Sequence, residues 1–421
     1  MQYIKRITDK EIEKKLRTSG AVVIRGPKWC GKTTSAKQYA KSILEMQNPD
    51  MTDNYVKIAN VKPSLLLEGE KPRLIDEWQI APKLWNAVRY AVDNSGDINQ
   101  FILTGSATPV EDDTMHSGTG RFAFVNMKPL SLYESGESNG SISLKDIVEG
   151  KIDIDGKKSN LTYEDLAYVL CRGGWPNSLK MDRNDALEVA KNYIDALVNS
   201  DISRVDGVKR DPKLARFILK AYARQVATIG SNQALYEDVK VNFGDVSEKT
   251  INDYLNVLKR LYIIEEIEAW NPNIRSKTTI RTSPKKTMVD PSLATAALGC
   301  TYQELMYDVD TFGLMFENLV NRDLSIYASS IGGSLKHYRD RYGLECDNIL
   351  HFDNKYALIE VKLGVNKIPE AEEHLLKLKN LIKENQPKMG EPLFMMVITG
   401  TEMAYKTEGN VLVVPIGCLK D

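Results

Sequence analysis

Cysteine is scarce in this chain: Cys30, Cys171, Cys300, Cys346 and Cys418 are odd in number, far apart and without a C-x-x-C pair. Such a set suggests neither a disulfide framework nor a structural zinc site, and it suits a reducing compartment. Long apolar runs are missing too. No stretch approaches eighteen apolar residues, and the N-terminal "MQYIKRITDKEIEKKL" carries charges where a signal peptide needs an apolar core. A cytoplasmic protein that does not span the membrane is expected. Excess charge of one sign is also absent: the net charge is -1. A protein that coats nucleic acid is usually basic throughout, so any such contact here must be a local patch. The four histidines show no metal-ligand spacing, and there is no internal repeat or low-complexity tract.

What is present is enough chain for more than one core, 421 residues, 42% of them hydrophobic. Between 21 and 128, the runs "AVVIRG", "YVKIAN", "RLIDE", "FILTGS" and "FAFVNM" read as strands alternating with helices, which predicts a largely parallel α/β sheet. A Gly-, Ser-, Asp- and Lys-rich stretch from 136 to 160 marks an insertion or connection. A mostly helical segment follows to 228, broken by "RGGWP". Next, "ALYEDVKVNFGDVSEKTINDYLNVLKRLYIIEEIEAW" has the outline of a winged helix-turn-helix. Ser247 is placed to cap the second helix, and Ile251, Tyr254, Leu255, Leu258 and Leu261 line one face. The expected division is 1–135, 136–228, 229–290 and 291–421, the last opening with helices and then alternating strand, helix and strand.

"GPKWCGKT" matches G-x-x-x-x-G-K-[ST] directly after an apolar strand and before a helical pattern, "TTSAKQYAKSIL". The loop of Gly26, Pro27, Lys28, Trp29, Cys30, Gly31 and on to Thr34 would curl its backbone N–H groups around phosphates. Lys32 would reach the β and γ oxygens, and the Thr33 hydroxyl would ligate Mg²⁺. "RLIDEWQ" then supplies an acidic strand end, with Asp76 holding Mg²⁺ and Glu77 placed to activate the attacking water. Thr104 and Ser106, in "FILTGSA", could polarise that water or sense the γ-phosphate. Arg121, in "SGTGRFAF", reads either as an arginine finger or sensor, or as a surface residue. If it acts across a subunit boundary, the protein must be a homo-oligomer.

The order "RGPKWCGKTT", "LIDEWQ", "ILTGSA", "SGTGRF", "KPLSLYE" and "RGGWP" resembles the AAA-type P-loop ATPases of bacteria and archaea that are fused to a C-terminal domain of unknown function. That resemblance reaches the closing "MAYKTEGNVLVVPIGCL" and implies Lys32, Thr33, Asp76 and Glu77 as an ATPase core using ATP and Mg²⁺. Lys28-Trp29-Cys30 departs from the Arg-Gln-Val common in the family. The C-terminal domain of such proteins is similar to the restriction-endonuclease-like superfamily.

Two further features bear on nucleic acid. Arg275, Lys277, Arg281, Lys285 and Lys286 cluster on the expected wing, where they either contact phosphate or form a solvated face. Glu317 on a helix, Asp347 on a strand, and Glu360 with Lys362 on the next strand form a set that resembles the PD-(D/E)xK nucleases. Asp347 and Glu360 would share a Mg²⁺, Glu317 would complete its shell, and Lys362 would position the water. A nuclease-like fold can also persist as a binding module. The leading expectation is an ATPase that engages DNA or another nucleic acid, with a metal-dependent nuclease site. The alternative is an ATP-driven remodelling or switch protein acting on a protein partner through a catalytically dead nuclease-like domain.

Overall fold

The structure, a computed structural model, describes residues 3–107, 118–244, 246–273 and 282–421. It divides into two compact units. One comprises Met1–Pro129, Asn199–Arg210 and Asn256–Ile263; the other comprises Leu130–Val198, Asp211–Leu255 and Ile264–Asp421.

In the first unit, β1 (Ala21–Arg25), β2 (Ser42–Glu45), β3 (Arg73–Asp76), β4 (Phe101–Gly105) and β5 (Phe122–Asn126) form one sheet in the order β2-β3-β4-β1-β5. Every pairing in it is parallel. Alternation sends Val23, Ile75 and Leu103 into one core, and Val22, Ile24, Leu74 and Ile102 into another. A sheet covered on both faces requires continuous apolar strands, which is why these runs were legible.

Two expectations fail in this unit. "YVKIAN" is not a strand but part of the helix Thr52–Val61, because Tyr55, Ile58 and Ala59 sit three and four apart and pack on the first of these cores. The strand between the phosphate loop and β3 is instead "SILE", read as the tail of a helix. The helix Lys32–Ala36 ends early, and Ser42 to Glu45 pair with Arg73 to Asp76.

In the second unit, β6 (Ile142–Ser143) pairs with the final strand β15 (Leu419–Lys420), so the polar stretch 136–160 is stitched to the C-terminus. The helix Gln233–Phe243 precedes the helix Glu248–Arg260, whose Thr250 N–H donates to the Ser247 hydroxyl at 3.1 Å. All five apolar residues expected on that helix face are buried. An antiparallel ribbon follows, β7 (Ile264–Ile267) with β8 (Lys285–Met288).

The long helix Val309–Ser330 then leads into β9 (Ser334–Arg339), β10 (Glu345–Phe352) and β11 (Lys355–Lys362), all antiparallel. The two-residue turn between β10 and β11 holds Asp353 at φ +50°, a left-handed conformation that Asp tolerates. After the helix Ile368–Asn385, β12 (Met395–Thr399) and β14 (Leu412–Pro415) extend the sheet in parallel, and β13 (Tyr405–Lys406) closes its edge. Leu375, Leu378 and Ile382 of that helix pack on Leu358, Val397 and Val413. Among the described residues no helix is long and apolar enough to cross a membrane.

Candidate functional site

In the first unit the C-terminal ends of β1, β3 and β4 bring the nucleotide-site residues together. Gly26 is required by close approach: a Cβ there would lie 2.0 Å from the Met127 carbonyl oxygen. Cys30 is buried beneath the loop, while Trp29, with φ +63°, is 57% exposed. The Lys28 ammonium pairs with Asp201 at 2.6 Å, and Lys32 donates to the Pro27 carbonyl at 2.7 Å. Gly31 precedes the helix Lys32–Ala36 in a left-handed conformation at φ +102°, and Thr34 is exposed on that helix.

The Thr33 hydroxyl donates to the Asp76 Oδ1 at 2.7 Å, and the Thr104 hydroxyl reaches the same oxygen. Register explains the second contact, because Asp76 lies opposite Thr104. The Glu77 backbone, at φ +54°, turns its carboxylate away from Asp76, where it accepts from the Ser106 hydroxyl at 2.9 Å and from the Gln79 amide. A hydroxyl and a carboxylate on adjacent strand ends are hard oxygen donors, so Thr33 and Asp76 fit Mg²⁺.

Two supports escaped the sequence reading. Gln79 lies within the quoted "LIDEWQ". The Arg6 guanidinium is buried and donates to the Cys30 carbonyl at 2.7 Å and the Lys128 carbonyl at 2.8 Å, pinning the phosphate loop from below. No periodicity marks such a residue.

Arg121 lies away from the phosphate loop of this chain. Its carbonyl accepts from Ala21 N–H at the start of β1, whereas the phosphate loop follows Arg25 at the other end. Five strand residues separate the two, on the order of 15 Å. Its guanidinium pairs with Asp93 instead.

The second unit gathers another set. Beyond the Asn348–Ile359 pair the β10–β11 register sets Asp347 against Glu360, and a bulge between Cys346 and Ile349 re-aims that segment. Lys362, two residues beyond Glu360 on the same face, donates to Glu360 at 2.6 Å and Asp347 at 3.2 Å. Val361 N–H donates to Asp347 at 2.9 Å. Glu317 joins from the helix Val309–Ser330, bonded to Lys285.

Lys285 and Lys286 are corrections: neither is a solvated wing residue. Both are 2% exposed on β8. Lys286 donates to the Gly230 carbonyl at 2.7 Å, and Lys285 to the Asp347 main-chain carbonyl at 2.8 Å. Arg275, Lys277 and Arg281 lie outside the described residues.

The electrostatics follow from burial and pairing. Burial first, then the Asp347 charge, pushes Glu317 up to about 7 and Glu360 well above the usual carboxylate range. Burial would also raise Asp347, but Lys285 and Lys362 outweigh it and hold that carboxyl below its ordinary value. Burial works against the ammonium of Lys285, yet Glu317 and Asp347 keep it up at about 12.

Each carboxylate thus has an ammonium on it. This set does not fit a divalent cation as it stands, and no group of three or more His, Cys, Asp or Glu suited to a metal occurs among the described residues.

Comparison with known proteins adds to this geometry. Residues 18–136 match the family model described as an AAA domain. Residues 163–304 and 312–419 match two others, Domain of unknown function (DUF8612) and Domain of unknown function (DUF4143). The chain is 23% identical over 359 residues to the uncharacterized proteins Rv2008c of Mycobacterium tuberculosis and Mb2031c of Mycobacterium bovis, a match covering 83% of this chain and 72% of each relative. Among solved structures, the Walker-type ATPase of Pyrococcus abyssi aligns at 13% identity with a TM-score of 0.40, covering 69% of this chain and 94% of that one. Phosphate loop, acidic strand end and family match agree: residues 18–136 are an AAA-type P-loop ATPase domain, followed in the same chain by two segments matching domains of unknown function.

Proposed function

We propose that this chain is a Mg²⁺-dependent ATPase working as a nucleotide-driven switch on a protein partner, its C-terminal segment a nuclease-like fold that holds and does not cut. The reading of the first site rests on one contact set: Thr33 and Thr104 on Asp76, with Glu77 turned aside and held by Ser106. The bound Mg²⁺, held by Thr33 and Asp76, would neutralise phosphate charge. Lys32 would hold the β and γ oxygens, and Glu77 would take the proton of the attacking water. Thr104 fixes the rotamer of Asp76, and Ser106 with Gln79 fixes that of Glu77.

For the second segment, the order of helix, three antiparallel strands, helix and parallel strand supports a restriction-endonuclease-like core. The lysines on Asp347, Glu360 and Glu317 favour a non-cutting one, and burial of Lys285 and Lys286 removes two of the five cations proposed for phosphate contact. The second reading, metal-dependent cleavage of nucleic acid, is favoured by the convergence of Glu317, Asp347, Glu360 and Lys362 on neighbouring elements. Single-stranded, duplex and branched DNA incubated with Mg²⁺ or Mn²⁺ separates the two. Absence of cleavage is expected, and cutting that disappears in Asp347→Ala would establish the nuclease.

A further inference from the structure

The polar clusters of the second unit differ in one respect. The Arg322 guanidinium joins Asp290 and Asp323 at 2.7 and 2.8 Å, and these acids also accept backbone N–H groups of Gly174 and Leu132, so that network is satisfied by tying segments together. The cluster around Lys285 is built differently: Asp347 accepts the Val361 N–H, but its Oδ1 and main-chain carbonyl converge with Glu317 on one ammonium. Its ammonium is surrounded by the Glu317 carboxylate, the Asp347 main-chain carbonyl at 2.8 Å and the Asp347 Oδ1 at 3.6 Å. Two carboxylates and a backbone carbonyl are the oxygen donors from which hard divalent cation shells are built.

Lys285 also cannot easily leave. Its strand is fastened on both sides: by β7, with Lys285 opposite Ile267, and by the preceding segment, where Ile229 bridges to Lys285 itself. The next residue along donates its N–H to the Thr228 carbonyl at 3.0 Å, accepts from Ala227 N–H at 2.8 Å, and extends its own ammonium to Gly230 and Ser231.

From this geometry we propose that Lys285 is the resident cation of the cluster: its ammonium fills a divalent-metal position among Glu317, Asp347 and Glu360, and a neutral side chain there creates a Mn²⁺ or Mg²⁺ site. The proposal rests on the non-cutting reading of this segment and extends it by naming the residue responsible. Lysine can do this because its compact ammonium offers three donors on a flexible stem, and the carboxylates need only a positive charge and hydrogen bonds. Lys362 remains on Asp347 and Glu360 in either case, so a metal introduced at the Lys285 position would be held mainly by Glu317 and the two Asp347 oxygens.

The test is Mn²⁺ binding to the full chain without nucleotide, followed by electron paramagnetic resonance of free Mn²⁺. Wild type and Asp347→Asn should bind the same number of ions. Lys285→Met should bind one more, and Lys285→Met combined with Asp347→Asn should lose it. Any ion held at Thr33 and Asp76 is common to all four proteins and cancels.

A wild-type Mn²⁺ site that vanishes in Asp347→Asn would overturn the proposal, and so would a folded Lys285→Met that gains none. Should Lys285→Met fail to fold, the wild-type comparison with Asp347→Asn still decides. A wild-type ion that is lost in Asp347→Asn, without DNA cleavage, would sink this inference alone; cleavage lost in Asp347→Asn would sink the non-cutting reading as well.

Discussion

Glu77 and Asp76 are neighbours that face different partners, and the backbone separates them. The left-handed turn at Glu77 lets Asp76 face Thr33 while Glu77 faces Ser106. A general base contributes typically 10²–10⁴-fold, so Glu77→Gln should lower ATP turnover by roughly 100-fold or more while leaving ATP binding near wild type. Phosphate-release kinetics beside a fluorescent-nucleotide titration would check this, and unchanged turnover would remove Glu77 from the base role. Lys32→Ala should lose nucleotide binding itself, since in the proposed site its charge would serve the phosphates directly; unaltered affinity would count against the whole assignment. Arg6→Ala should weaken nucleotide binding with a smaller effect, roughly 10-fold, because it loosens the loop carbonyl at Cys30 without touching phosphate. At this scale the motif residues were readable, because phosphate chemistry imposes fixed spacing. Arg6 was not, since a side chain that bonds to distant carbonyls leaves no local pattern.

Whole elements show where charge has been put inside. The helix Val309–Ser330 carries Arg322 and Asp323 completely buried, and Gly174 of "RGGWP" lies so near that a Cβ would come within 2.9 Å of the Arg322 guanidinium. Replacing Arg322 with Met leaves two aspartates buried without their cation, a loss of about 3–5 kcal/mol. Urea denaturation should show the lowered midpoint with an unchanged slope.

His337 on β9 is buried, and burial together with the Lys285 charge pushes its pKa down from 6.5 to about 4. In the unfolded chain the imidazole takes a proton near pH 6.5. Its contribution to stability is therefore fully present above that pH and lost as the pH falls through about 4, on the order of 3 kcal/mol. Comparing unfolding of the wild type with His337→Gln between pH 7 and 4.5 should reveal a shallower acid slope in the variant; parallel slopes would contradict the buried neutral imidazole. The composition of β8 hid its role, since "KKT" reads as a polar wing until pairing with β7 buries both lysines.

At the scale of the whole molecule, an AAA-type ATPase domain joined in one chain to a mixed-sheet C-terminal segment proposed to be nuclease-like would serve either cutting or switching. If the switch reading holds, ATPase rates should stay within about 2-fold on adding DNA or RNA and on Glu360→Ala, a change small beside the tenfold that 1.4 kcal/mol would produce. Stimulation by nucleic acid that Glu360→Ala abolishes would favour the nuclease reading.

The amino-acid sequence by itself determined the parallel sheet, the phosphate loop with Asp76 and Glu77, the β10–β11 hairpin and the shared face of Glu360 and Lys362. All of these follow from periodicity or motif spacing within a few dozen residues. Tertiary structure alone decided that "YVKIAN" is helical, that Arg121 stands at the far end of the sheet, and that Lys285 reaches across 32 positions to Glu317 and 62 to Asp347. The physical reason is common to all three. A side chain's charge is written in the sequence, but its partner is set by which backbones are brought together, and burial then makes that partner obligatory.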